Sequence, residues 1–142
     1  METKRLILRK WTEADAENLY KYAKDPDVGP VAGWPPHKDI EESRAVIRDV
    51  FNGAECYAIC EKETNQAIGA VELKLNGHTD MTNREDECEL GYWLGKPFWG
   101  RGYVPEAAAA LLQRGFEEDL APLINEVRVC HASKMTKAQW NI

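Results

Sequence analysis

Apolar and polar positions alternate from the start of the chain. Across residues 4–10, Leu6 and Leu8 fall on one side and Arg5, Ile7 and Arg9 on the other, the period of a strand with one firmly buried face. Thr12 then precedes Glu13-Ala14-Asp15, an N-cap followed by acids. Ala16, Leu19, Tyr20 and Ala23 make one helical stripe, which Asp25-Pro26 ends. Residues 28–36 carry too many glycines and prolines for regular structure yet hold Trp34, so they predict a loop with something to cover. A second helix is predicted from a capping signal at Asp39, through Val46, Ile47, Val50 and Phe51, to the break at Asn52-Gly53. Residues 56–61 and 67–76 read as paired strands joined by the polar turn Glu63-Thr64-Asn65-Gln66. Polar residues 77–85 separate this hairpin from a fourth strand at 87–94, in which Cys88, Leu90, Tyr92 and Leu94 face one way and Glu87, Glu89, Gly91 and Trp93 the other.

The fourth strand runs into Gly95-Lys96-Pro97-Phe98-Trp99-Gly100-Arg101-Gly102-Tyr103. A helix follows, with Pro105 suited to its first turn and Ala108, Leu111, Leu112, Gly115 and Phe116 as its buried stripe. Strand, glycine turn and helix, in that order, make an anion site, because backbone N–H groups converge and the helix adds the positive end of its dipole. Arg101 and Lys96 can add full charge. A lone G-x-G is usually only a tight turn, and two better-known phosphate motifs fail here: position 105 is Pro instead of a third glycine, and no G-K-[ST] occurs. Gly91 marks either a bulge or a close ligand approach. A fifth strand is predicted at 124–130.

Composition narrows the class. A chain of 142 residues, 44% hydrophobic and 30% charged, suits one compact domain. It opens with no long apolar run, so neither a signal peptide nor a spanning helix is expected, and a cytoplasmic location follows as the expectation. The net charge of −6 argues against a general nucleic-acid binder and leaves room for a cationic substrate such as an amine. Cys56, Cys60, Cys88 and Cys130 form no C-x-x-C pair and have no His at ligand spacing, so buried thiols are expected, with no disulfide framework and no metal.

The run Glu89-Leu90-Gly91-Tyr92-Trp93-Leu94, followed by Trp99-Gly100-Arg101-Gly102-Tyr103-Val104-Pro105-Glu106-Ala107, resembles the GNAT superfamily of N-acetyltransferases, in particular its RimJ/RimL-type branch. The opening Thr3-Lys4-Arg5-Leu6-Ile7-Leu8-Arg9 and Asp25-Pro26-Asp27-Val28 are similar to that branch as well, so the likeness covers about residues 3–130. The resemblance implies an α+β fold, a mixed, mostly antiparallel sheet flanked by helices. It also implies acetyl-coenzyme A as co-substrate, with no metal. The implied reaction is acetyl transfer to a primary amine, on a protein N-terminus or a small molecule, by direct attack in a ternary complex. The thioester would lie where the fourth and fifth strands splay. Tyr92, Trp93 and Leu94 would meet the pantetheine arm, Trp99, Gly100, Arg101, Gly102 and Tyr103 the diphosphate, and the amide of Trp93 or Leu94 the carbonyl oxygen.

Two departures stand out. Pro97 occupies a position where the wider superfamily often has Arg or Gln. Past the fifth strand the family continues with an Asn-x-x-Ser helix and two more strands, which can supply a tyrosine acid, whereas Met135 and Ala138 stand where that Asn and Ser belong. The chain is therefore expected to lack the last helix and strands. Its fifth strand would then be an apolar edge, with Ile124, Val127 and Val129 open to homo-oligomerisation, a dimer in the simplest case. A non-catalytic acyl-coenzyme-A-binding or regulatory module, or an incomplete piece of an enzyme, is the alternative function.

Direct attack needs no nucleophilic triad, only positioning, an oxyanion donor and a proton route. Glu89, aimed with Gly91, is the candidate base; Glu87 is the second, or a binder of the substrate's charge. Trp34 either walls the acceptor site or fills a gap beneath its loop. His37, His78 and His131 read as surface or structural residues, and neither Cys88 nor Cys130 suits a covalent acetyl intermediate.

Overall fold

The computed structural model describes residues 1–74, 87–117, 126–129 and 133–136. Six strands form one sheet in chain order: β1 (Leu6–Arg9), β2 (Cys56–Glu61), β3 (Ala67–Lys74), β4 (Glu87–Leu94), β5 (Glu126–Val129) and β6 (Ser133–Thr136). Every neighbouring pair is antiparallel except β4 and β5, which run parallel. Helices α1 (Ala16–Ala23), α2 (Gly29–Ala32) and α3 (Ile40–Asp49) lie between β1 and β2, and α4 (Tyr103–Glu117) between β4 and β5. The fold is the mixed, mostly antiparallel α+β architecture that the family resemblance implies.

Helices cover both faces of the sheet. Arg9 grips Asp15 through two 2.8 Å hydrogen bonds and so ties the 3₁₀ turn before α1 to β1. Trp11 stacks on Trp93 of β4 on that same face, with ring centroids 6.3 Å apart. Leu73 points to the opposite face, and there α4 packs so closely that a Cβ on Gly115 would come within 2.8 Å of Leu73 Cδ1. Leu6, Leu8, Leu19, Ile59, Val71 and Leu111 are fully buried between these layers.

Several local expectations change. Residues 28–36 contain a single helical turn, α2, which tolerates Pro30 because the first helical N–H groups have no internal partner anyway. Tyr22, and not Tyr20, completes the buried face of α1; the Tyr20 hydroxyl donates to the Lys38 carbonyl at 3.2 Å. Helix α3 is capped by Asp39, whose carboxylate accepts from the Glu42 N–H at 2.7 Å, but it ends at Asp49 and leaves Val50 exposed. The end of the third strand and the polar segment at 75–86 lie outside the described residues.

The main correction concerns the far edge. Strand β6 pairs with β5 from Glu126↔Thr136 to Val129↔Ser133, so β5 is an interior strand. Met135 lies in that strand and in no helix, and Val127 and Val129 do not form the apolar edge that was expected. Positions 124, 130 and 138 are outside the described residues. At the near edge residues 1–3 fold back on β1: the Leu8 N–H donates to Met1 O at 2.8 Å and the Thr3 N–H to Leu6 O at 2.9 Å, which satisfies groups that would otherwise template aggregation.

Candidate functional site

The site begins where β4 loses one of its neighbours. Registered pairs with β5 run from Glu87↔Glu126 to Leu90↔Val129, while β4 stays paired with β3 as far as Leu94↔Gly69. Among the described residues, Gly91 to Leu94 therefore have a sheet neighbour on one side only. The Gly95 N–H donates to Ile68 O at 2.8 Å, and hydrogen-bonded pairs alternate along an antiparallel ladder, so the N–H groups of Trp93 and Gly91 point to β3. Those of Tyr92 and Leu94 then point into the splay. Of the two amides proposed for the carbonyl oxygen, Trp93 is thus committed to the sheet, and Leu94 is the one presented. The Leu94 carbonyl accepts the Trp99 indole N–H at 2.8 Å, which fixes that half-exposed ring beside the strand end.

A 3₁₀ turn over Lys96–Phe98 leads from β4 to the glycines. Gly100 and Gly102 both adopt left-handed φ, 79° and 77°. A Cβ on Gly100 would meet nothing within 4 Å, so the glycine is there for its backbone angle and not for room. The turn opens onto the N-terminus of α4, a 15-residue helix. Arg101 lies over the Phe98 ring at 5.5 Å, and Lys96 is ion-paired with Asp27, so the added positive charge of this turn is Arg101's more than that of Lys96.

Residues about a hundred positions away brace the turn. Glu106 in the first turn of α4 accepts from the Thr3 hydroxyl, from the Arg5 N–H at 3.0 Å and from Arg5 Nε at 2.8 Å. Arg5 Nη1 also donates to Arg101 O at 2.8 Å, and its guanidinium lies 4.6 Å over the Tyr103 ring. The Tyr103 hydroxyl donates to Glu61 at 2.8 Å. Burial alone would raise the Glu106 carboxyl, but the hydrogen bonds from Thr3 and Arg5 outweigh it and hold the group below the usual carboxylate range. No local sequence signal reveals this brace, because its partners meet only in the folded chain.

Two cavities adjoin at the splay. A groove of about 270 Å³ runs from Tyr92, Trp93 and Leu94 past Trp99 and Gly100 to Gly102 and Tyr103. Of the eight residues expected along the cofactor, it contacts all but Arg101. A second cavity of about 670 Å³ lies between the α3–β2 connection and β3–β4, and shares Ala32, Tyr92 and Trp93 with the groove. Trp34 lines this second cavity and meets Trp93 edge to face at 5.8 Å. It also lies on Gly29, where a Cβ would come within 2.6 Å of the indole. The nearby His37 is buried, with Nδ1 2.8 Å from Ser43 Oγ, and burial pushes its pKa down, the signature of a structural histidine.

Glu89 is only 6% exposed and faces Lys74 across the ladder, with Oε1 3.6 Å from Nζ. It is not among the residues lining either cavity. Glu87 begins β4 in register with Glu126, and its side chain lies outside what is described. The carboxylates that do line the second cavity are Asp49, Glu55 and Glu72 of β3, the last in register with Gly91. Sequence reasoning passes over Glu72, because a Glu on an alternating strand carries no signal until its cross-strand neighbour is known to be a glycine. Burial pushes the thiols of Cys56, Cys60 and Cys88 to about 12, 11 and 12, far from nucleophilic. His78, Cys130 and His131 lie outside the described residues.

A strand that leaves its parallel neighbour, a left-handed glycine turn and a long helix start make a groove whose far end suits an anion such as a phosphate. The family model described as an acetyltransferase (GNAT) domain matches residues 5–139, and the chain belongs to that family. An uncharacterized N-acetyltransferase, p20, of Bacillus licheniformis is 32% identical over 119 residues, 80% of this chain and 64% of p20. YoaA of Bacillus subtilis, also an uncharacterized N-acetyltransferase, is 25% identical over 122 residues, 82% of this chain and 66% of YoaA. The chain thus spans about two thirds of the length of these relatives. Among solved structures, a GNAT-family acetyltransferase from Bacillus anthracis superposes with a TM-score of 0.72 at 24% identity, over 91% of this chain and 71% of that one. RimL, a ribosomal L7/L12 α-N-protein acetyltransferase solved with coenzyme A, gives 0.66 at 17% identity, over 89% and 71%. These last two likenesses concern the fold.

Proposed function

We propose that the chain transfers an acetyl group from acetyl-coenzyme A to a primary amine, the amine being a protein N-terminus or a small molecule. The observation that carries this reading is the adjacency of the two cavities at Tyr92 and Trp93, one groove ending in an anion-suited turn and one pocket reaching the same strand from the other side. The groove fits the co-substrate: the β4 edge at Tyr92 and Leu94 can pair with an amide-bearing arm, and Gly100 to Tyr103 with the α4 start can receive a diphosphate. Arg101 would add charge there. Acetyl-coenzyme A supplies the activated acyl group as a thioester. The protein's part is to align the amine, to offer the Leu94 N–H to the oxygen that gains negative charge, and to take up protons. Trp34 serves as a wall of the acceptor pocket, and Glu89, the candidate base, would act through Lys74 or a water.

The test is a thiol-release assay over a panel of small amines and short peptides, run beside calorimetric binding of coenzyme A. Binding together with turnover on at least one amine is expected. Binding without turnover on any of them would support a non-catalytic binding module instead.

A further inference from the structure

Trp93 carries the inference, which rests on the acetyl-transfer reading above. It is 6% exposed, and its Nε1–H has no hydrogen-bond partner among the described residues, although buried indole N–H groups normally find one. The surroundings explain the lack. Its cross-strand partner on β3 is Ala70, the next residue along that row on β2 is Ala58, and Gly91 precedes it on the same face of β4, so the nearest sheet positions bring it no side-chain oxygen. Two further neighbours are rings: Trp11 stacks on it at 6.3 Å, and Trp34 stands at 84° to it. A ring face is only a second-order acceptor and does not replace an oxygen. Phenylalanine would fill the same aromatic position without burying a donor.

The donor belongs to the place where the two cavities meet. Trp93 lines both the groove and the second cavity, and Ala70, Gly91 and Trp34 line the second with it. Trp11, whose buried Nε1–H also has no partner among the described residues, lines neither and packs on Phe51 at 5.0 Å. Of the two rings against Trp93, Trp11 is 8% exposed and Trp34 is half-buried at the cavity wall, so Trp34 is the one that can give way to a ligand. The second cavity is lined by Asp49, Glu55 and Glu72 against one lysine, Lys74, so a ligand carboxylate would bring like charge to it and a neutral oxygen would not.

We propose that the Trp93 indole N–H donates a hydrogen bond to a neutral oxygen of the amine substrate, with Trp34 moving aside to admit it, and so selects which amines are acetylated. Because Trp93 borders the groove as well as the cavity, that oxygen belongs close to the reacting nitrogen. The substrate is then a primary amine with a carbonyl on the neighbouring carbon, as in a free amino-acid amide or the end of a peptide. Alkyl amines of the same shape leave the donor unpaired. Trp93 sets specificity and takes no part in proton transfer.

The experiment compares glycinamide with isobutylamine, which has the same branched shape and no oxygen. Each is titrated at about pH 6, where both are ammonium ions, into protein saturated with coenzyme A, and binding is followed by the NMR signals of the indole N–H groups. The Trp93 signal is assigned through its own backbone resonances, so it is read in wild type alone. The glycinamide-to-isobutylamine affinity ratio should fall at least about fivefold in Trp93→Phe and keep its wild-type value in Trp11→Phe, which removes the neighbouring indole. Glycinamide should also shift the Trp93 signal more than isobutylamine does. A role in packing alone would lower both affinities together and leave their ratio unchanged. Triglycinamide separates the two sources of the oxygen: affinity equal to or above that of glycinamide assigns the substrate to a peptide end, and weaker binding assigns it to a free amino amide. A ratio that survives in Trp93→Phe overturns the inference. So does a Trp93 signal that glycinamide moves no more than isobutylamine does, a result that stands even where Trp93→Phe fails to fold. Binding of neither amine to protein that binds coenzyme A also overturns it and leaves the groove standing, whereas failure to bind coenzyme A would sink the acetyl-transfer reading itself.

Discussion

Gly100 gives the sharpest test at the scale of a single residue, because conformation alone demands it: its φ is 79° and the space around its missing Cβ is open. Gly100→Ala should cost roughly 1–2 kcal/mol if the left-handed angle is kept, or relax the turn and redirect its N–H groups. Coenzyme A binding should weaken about tenfold or more in either case, read by calorimetry. Glu106 behaves differently. Its carboxyl is held below its ordinary value of 4.5, so the stability it contributes is present in full above that pH and drains away as the pH falls through the lowered value. In Glu106→Gln the acid side of the melting-temperature profile should be shallower than in wild type, and an unchanged slope would remove the brace. Residue-level chemistry was partly legible in advance. Gly100 and Gly102 announce themselves by spacing, whereas Glu106 acts through a partner that only a 101-residue loop closure brings near.

At the scale of elements, periodicity carried most of the information. Strands β2 and β4 fall where alternation places them, since both are flanked by turn residues. What periodicity could not see is pairing. The interior position of β5 depends on the four residues of β6, too few to show a period, and the first turn of α2 is built on a glycine and a proline. Cap chemistry was readable, and it predicts a magnitude. Asp39→Ala removes the acceptor for the Glu42 N–H and should destabilise the protein by about 1 kcal/mol, seen as a lower denaturant midpoint at constant m-value. Because α3 leads directly into the roof of the second cavity, the same variant should weaken amine binding more than coenzyme A binding.

On the scale of the whole molecule, the core is continuous across the sheet, and Cys56, Cys60 and Cys88 are buried within it as free thiols. Their thiolate forms are suppressed by burial, with values raised to about 12, 11 and 12. Site-resolved labelling at pH 8 should leave all three unmodified in the native protein and modify them together once denaturant unfolds it. Modification of Cys88 alone in native protein would mean that β4 opens independently of the rest. Net charge describes the whole chain and locates no pocket, so the acidic composition left room for a cationic substrate without indicating the second cavity.

The central claim is that the splayed end of β4 and the glycine turn together form one groove for an acyl-coenzyme A. The half-exposed Trp99, tied to the strand end through its indole N–H, is a reporter inside that groove. Titrating coenzyme A and following tryptophan emission tests the claim most directly, with wild type and Trp99→Phe compared and calorimetry in parallel. The account predicts saturable one-to-one binding with Kd below about 1 mM, the range of ordinary enzyme substrates, and a fluorescence change that is largely lost in Trp99→Phe while the calorimetric affinity persists. Absence of saturable binding in wild type by both readouts would contradict it.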